Sequence, residues 1–148
     1  MRNRSVPVDT VLPHLVYHDL ASASIWLTRV FGFTEHYRYG DPLSGIQMRL
    51  ASACIMLKVP QQGTMSPAQL GYRTQTLAIF LDNVESHYAH TKRSGADILE
   101  ELHETIYGER QYVAQDLEGH HWLFSQHIRD VNPFDWGATV VSPSSPVQ

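Results

Sequence analysis

What the chain has little of narrows its function first. Its 148 residues include a single cysteine, Cys54. That excludes an intramolecular disulfide framework and fits a reducing, cytoplasmic setting. No apolar run approaches the ~20 residues that a membrane-spanning helix needs. The opening MRNRSVPVDT has two arginines but no apolar stretch behind them, which is not the pattern of a secretory signal. Eleven Lys and Arg stand against fifteen Asp and Glu, for a net charge of −4 with the signs mixed. The chain therefore has no basic stripe for nucleic acid. It also lacks a Gly-rich phosphate loop, a nucleophile elbow and a zinc-protease motif.

What is present reads as one compact domain built from a repeated unit. Asp19 precedes ASASIWLTRVF and Gly32 follows it, the signature of an N-cap, a helix and a C′ glycine. Ala23, Trp26, Leu27, Val30 and Phe31 form one apolar stripe at helical spacing. Asp82 precedes NVESHYAHTKRS and Gly95 follows it, with Glu85 placed for a capping box. Both cap-to-glycine intervals span the same number of residues. A strand-like run leads into each cap, VLPHLVYH and then TQTLAIFL. Three short strand candidates follow each glycine: FTEHYRY, GIQMRL and ACIMLKV, then DILEELH, RQYVAQ and HHWLFS. Strand–helix–strand–strand–strand, twice over, is a duplicated α+β architecture. Module one covers about 8–59, a linker 60–73, module two about 74–127 and a tail 128–148. The linker, PQQGTMSPAQLGYR, is long enough to serve as a lid. SPSSPVQ reads as a mobile tail, and NPFDW as a segment packing on the body or on a partner chain.

The most polar stretch is YGERQYVAQDLEGHHWLF, Tyr107 to Phe124. DLEG is turn chemistry, and successive strand residues point to opposite faces, so His120 and His121 do not chelate one ion together. With Gln115 opposite His120, Tyr112 falls opposite Leu123 and Arg110 opposite Ser125. One sheet face then carries Leu15, Tyr17, Ile55, Leu57, Leu77, Ile79, Trp122 and Phe124, the bed for the helices. The other carries His14, Cys54, Met56, Lys58, Thr76, Ala78, His121, Leu123 and Ser125. If Ala51–Ser52 turns the first hairpin, Gln47 and Arg49 join it, along with Tyr112 and Arg110. Such a mixed face is suited to a ligand.

YHDLASASIWLTRVFGF, FLDNVESHYAHTKRSGA and YGERQYVAQDLEGHHWLFSQH resemble the vicinal oxygen chelate superfamily, in its glyoxalase and bleomycin resistance branch. The resemblance spans about Val11 to His127. It implies an α+β fold of two βαβββ modules, a curved mixed sheet around a cavity with helices on its outer face, and a homodimer. The superfamily's metalloenzymes place ligands at positions that fall here on Leu12, Met56, Thr76 and Leu123. None of these offers the imidazole, carboxylate or thiolate that borderline divalent metals take. The resemblance therefore implies the metal-free members, with no cofactor: proteins that sequester a drug, metabolite or aromatic or anionic ligand.

The candidate ligand-binding residues are His14, Gln47, Arg49, Met56, Thr76, Arg110, Tyr112, His121 and Leu123. Arg49 and Arg110 offer planar donors to an anionic or carbonyl-rich ligand, or pair with neighbouring glutamates. Tyr112 offers a stacking plane. If the protein is instead an enzyme acting on a carbonyl substrate, His14 and His121 are the candidate general bases. His18, His36, His87, His90, His103 and His127 read as surface or edge residues, and Cys54 as a small buried filler.

Overall fold

The computed structural model describes residues 11–141; the SPSSPVQ segment lies outside them. Eight strands fall into two four-stranded sheets of identical plan. In the first, β1 (His14–Val16), β4 (Ala53–Lys58), β3 (Gly45–Leu50) and β2 (Thr34–Tyr39) lie in that order. In the second the order is β5 (Thr76–Phe80), β8 (His121–His127), β7 (Glu109–Gln115) and β6 (Asp97–Glu104). The first strand of each module runs parallel to its last, and the other pairings are antiparallel. Helix α1 (Leu20–Phe31) follows β1, α2 (Pro67–Leu70) lies between the modules, and α3 (Val84–Arg93) follows β5. A short 3₁₀ turn covers Pro133–Trp136, where Trp136 lies 5.4 Å from the Tyr107 ring and so packs on the body.

The helix limits follow from their caps. Asp19 accepts the Ser22 amide at 3.1 Å, and Gly32 closes α1 at a φ of 82° that a side chain would disfavour. Helix α3 starts one residue later than its sequence pattern predicts. Asn83, not Asp82, is the cap and accepts the Ser86 amide at 3.1 Å. Gln126 on β8 takes the Val84 amide at 3.0 Å, which fixes the chain entry and leaves Glu85 outside a capping box.

The two modules share one core on the helix side. Phe31 ends α1 by packing edge-on against Phe124 and Trp122 of the other module, with ring centroids 4.9 and 5.8 Å away. All three rings are fully buried, and truncating such an aromatic costs about 3–5 kcal/mol. The last carbonyls of a helix have no partner within it. Here α3 supplies partners: His90 Nε2 donates to the Arg29 carbonyl at 2.9 Å, and His87 Nε2 to the Phe31 carbonyl at 2.7 Å. Thr91 Oγ1 donates to Val30 between them at 3.4 Å. His90 is exposed, as the sequence predicts, whereas His87 is partly buried between the helices rather than at the surface. Burial pushes the His87 pKa below its ordinary value.

The second clamp is the β7–β8 connection. Asp116 is buried and accepts four hydrogen bonds. Tyr17 Oη donates to Oδ2 at 2.6 Å and Trp122 Nε1 at 3.0 Å. The amides of Glu118 and His120 each donate to Oδ1 at 3.0 Å. Glu118 then reaches across to the amides of His18 and Asp19, and His120 Nε2 donates to the Val16 carbonyl at 2.8 Å. Because Asp116 and the β1 end hold His120 in the loop, Gln115 pairs with His121 rather than with His120. The expected register is therefore off by one residue at this hairpin. Tyr112 lies opposite Phe124, and Arg110 opposite Gln126, both on the helix side.

Replacing Tyr17 by Phe removes one hydrogen bond to a charged acceptor and should cost about 1.5–3 kcal/mol in urea unfolding. Asp116→Asn should cost more, and the double variant less than the sum of the two; strict additivity would mean the groups are uncoupled. For His87 the sign follows from burial. The unfolded ring protonates near 6.5, the folded ring only at lower pH. The unfolded state therefore binds more protons as pH falls through that value, and stability drops until the folded ring also protonates. His87→Gln should flatten that part of the profile.

Candidate ligand-binding face

The sheet faces turned away from the helices bear most of the candidate residues read from the sequence. In the first sheet the register aligns His14, Met56, Gln47 and Tyr37 as one cross-strand row. Arg49 and Cys54 form the next row. The Ala51–Ser52 turn that produces this register has Ala51 at a φ of 52°, so Gln47 and Arg49 share the face of Met56 as the sequence predicts.

Strand β2 adds groups that sequence reasoning missed. A register shift between Glu35 and Tyr37 brings His36 and Tyr37 together around Gln47. His36 Nδ1 donates to Gln47 Oε1 at 2.5 Å, and Gln47 Nε2 donates to Tyr37 Oη at 3.1 Å. Tyr39 lies flat against Gly45, where a Cβ would sit 2.3 Å from the ring. Lys58 Nζ donates to Tyr39 Oη at 2.6 Å. The alternation in FTEHYRY places Tyr37 and Tyr39 on one face and was a readable signal; the bulge that turns His36 was not.

Arg49 is exposed and has no salt bridge among the described residues. Its charge pulls the Cys54 thiol pKa down, but burial outweighs it and the thiol stays above its ordinary value. Cys54 is buried, and a thiol with a raised pKa forms the nucleophilic thiolate less readily.

In the second sheet His121 lies opposite Thr76, and Leu123 lies between Ala78 and Val113. His121 Nε2 donates to Gln115 Oε1 at 3.0 Å, and its pKa is lowered first by burial and then by Arg73. Arg110 and Tyr112 do not join this face. Arg110 pairs with Glu104 at 2.7 Å and Glu85 at 3.6 Å. The Tyr112 hydroxyl is 2.9 Å from Thr91 Oγ1 and 2.6 Å from His87 Nδ1, with its ring fully buried. The one-residue register shift accounts for both.

The linker is more ordered than its composition predicts. Ser66 and Gln69 form a capping box on α2, Ala68 donates its amide to the Glu118 carbonyl at 2.9 Å, and Arg73 Nε donates to the Gly119 carbonyl at 2.9 Å. It walls a cleft of about 110 Å³ that includes His14, Tyr72 and Arg73. A second cleft, about 300 Å³, opens where Cys54 and Ile55 approach Ala78 and Ile79. The β1–β4 edge of one sheet therefore lies beside β5 of the other.

Among the described residues, no three His, Cys, Asp or Glu side chains converge as a metal site requires. Met56 and Leu123 both lie on the open face, Met56 beside His14 and Leu123 beside Ala78, and neither offers a hard donor atom. The donor set does not fit a divalent ion.

Residues 8–124 match the family model of the Glyoxalase/Bleomycin resistance protein/Dioxygenase superfamily. The chain belongs to this superfamily. TioX from Micromonospora sp. ML1 is similar in structure, with a TM-score of 0.69 and 29% identity over 82% of this chain and 100% of that one. The superfamily fold recurs at lower identity in the fosfomycin resistance protein FosX from Listeria monocytogenes. There the TM-score is 0.62 and the identity 16%, over 80% of this chain and 93% of that one. An uncharacterized Mycobacterium bovis protein is 31% identical over 128 residues, 81% of this chain and 84% of the relative. No helix of the described residues is long and apolar enough to cross a membrane.

Titration of His121 followed by NMR should give a pKa below the usual 6.5, and Arg73→Ala should raise it by removing a nearby cation. An unchanged value in the variant would mean that Arg73 does not contribute to the shift.

Proposed function

We propose that this superfamily member binds a small planar molecule bearing an anionic or carbonyl group, on the open sheet face and without a resident metal. Sequestration of a drug or metabolite is the corresponding role, in a homodimer. The observation that carries this reading is Arg49. It presents a charged guanidinium without a salt bridge among the described residues, on the face that also bears Gln47, Met56 and His14. Such a donor orients a carboxylate or carbonyl oxygen. Met56 and Leu123 supply apolar contact, while Thr76 and His121 supply hydrogen-bonding groups from the other sheet. Tyr37 and Tyr39 take the stacking role that the sequence assigns to Tyr112.

A second reading is catalysis on a carbonyl substrate. Its specific support is His121 on the open face: Nε2 donates to Gln115 Oε1, which leaves Nδ1 to accept a proton, and burial lowers the ring's pKa. His14 lies on the same type of face in the other module.

A thermal-shift screen with and without chelator tests the main reading, across aromatic acids, thiol–aldehyde adducts and glycopeptide or quinoxaline antibiotics. Stabilisation by one class, unchanged by chelator, is the expected result. Arg49→Ala should then weaken an anionic hit by about tenfold or more, the equivalent of one charge-assisted hydrogen bond. Stabilisation that vanishes with chelator would overturn the metal-free mode. Turnover lost in His121→Asn with binding retained would favour the second reading.

A further inference from the structure

The open face of the second sheet holds a polar group that the Arg49 site does not use. Glu109 and Gln111 alternate with Tyr112 along β7, as Ser125 and His127 alternate with Phe124 along β8, so all four point away from the helices. Gln111 lies opposite Ser125 and Glu109 opposite His127, which makes Glu109 and Ser125 diagonal neighbours. His127 Nδ1 donates to Glu109 Oε1 at 3.0 Å. The other carboxylate oxygen, Oε2, is buried with no hydrogen-bond partner among the described residues, and so is Ser125 Oγ. Folded proteins seldom leave such atoms unpaired, because each forfeits the hydrogen bonds it would make to water. Tyr107 flanks the group, with its hydroxyl 3.5 Å from Gln111 Oε1 and its ring against Trp136.

The chemistry of the group selects its partner. It offers two oxygens from Glu109 and Ser125 and a third from Gln111, together with one formal negative charge. Glu109 repels an anion. A divalent metal would find one carboxylate, short of the set it needs. A primary ammonium carries three N–H donors and one positive charge on a compact head, and an aromatic ring beside it adds favourable contact. We propose that Glu109, Ser125 and Gln111 form a subsite for a primary ammonium group on the ligand. This rests on the open face being the binding surface, and it extends the ligand class to amine-bearing molecules.

Benzylamine and benzyl alcohol test it, since they share a ring and a chain length and differ in the ammonium. Binding is followed by the NMR shifts of the backbone amides of the full chain. Benzylamine should bind at least about tenfold tighter than benzyl alcohol, as a charge-assisted contact requires, and should move the Glu109, Gln111 and Ser125 amides. E109Q should reduce benzylamine to the level of the alcohol, and Ser125→Ala should weaken it several-fold. Equal affinities in the unaltered protein, no binding of either probe, or shifts confined to other residues would overturn the proposal even if E109Q failed to fold. A benzoate probe that binds through Arg49 while benzylamine does not would sink this subsite and leave the broader reading standing.

Discussion

The buried carboxylate of Asp116 is the constraint on which the arrangement of the modules depends. It draws a phenol from the end of β1, an indole from β8 and two amides of its own loop to one point. A carboxylate enclosed without partners would be strongly disfavoured; with four donors it is held, and so are its donors. Burial and the adjacent negative charge push the Tyr17 pKa well above its ordinary value, so the phenol remains a donor. The same loop fixes the entry to α1 through Glu118 and receives the linker through Gly119. At the other end of α1, histidines and a threonine of α3 take the free carbonyls. Module one is thus clamped at both ends of its helix by side chains of module two.

Much of this was legible in the sequence. The caps of α1, the eight strands, the repeated order and the apolar face bearing Leu15, Ile55, Trp122 and Phe124 follow from alternation and turn residues, which act locally. The first hairpin could be registered from its two-residue turn. The second could not, because Tyr17 and the Val16 carbonyl, which hold Asp116 and His120, lie about a hundred positions away in the chain. A short-range turn pattern carries no information about them. That single slip moved Arg110 and Tyr112 to the wrong face. His87 was misread for a similar reason: its neighbours in sequence are polar, whereas its neighbours in space are Phe31, Tyr112 and Phe124.

The candidate site survives that correction because its first-sheet half depends on the hairpin with the simple turn. His14, Met56, Gln47 and Arg49 sit where alternation puts them, and Tyr37 of β2 lies in the same row as Gln47. The fold itself decides little about chemistry, since the superfamily is shared by proteins of several activities. Met56 and Leu123 are the last-strand positions that the sequence resemblance assigns to metal ligands in the superfamily's metalloenzymes. A thioether and a leucine stand there, Met56 in a row with His14 and Gln47, and Leu123 between Ala78 and Val113.

Metal content addresses the central claim most directly. Elemental analysis of protein purified without chelator and dialysed should find no stoichiometric nickel, zinc, iron or manganese. One firmly retained equivalent per chain would contradict the account, because it would require a ligand set that these strands do not provide.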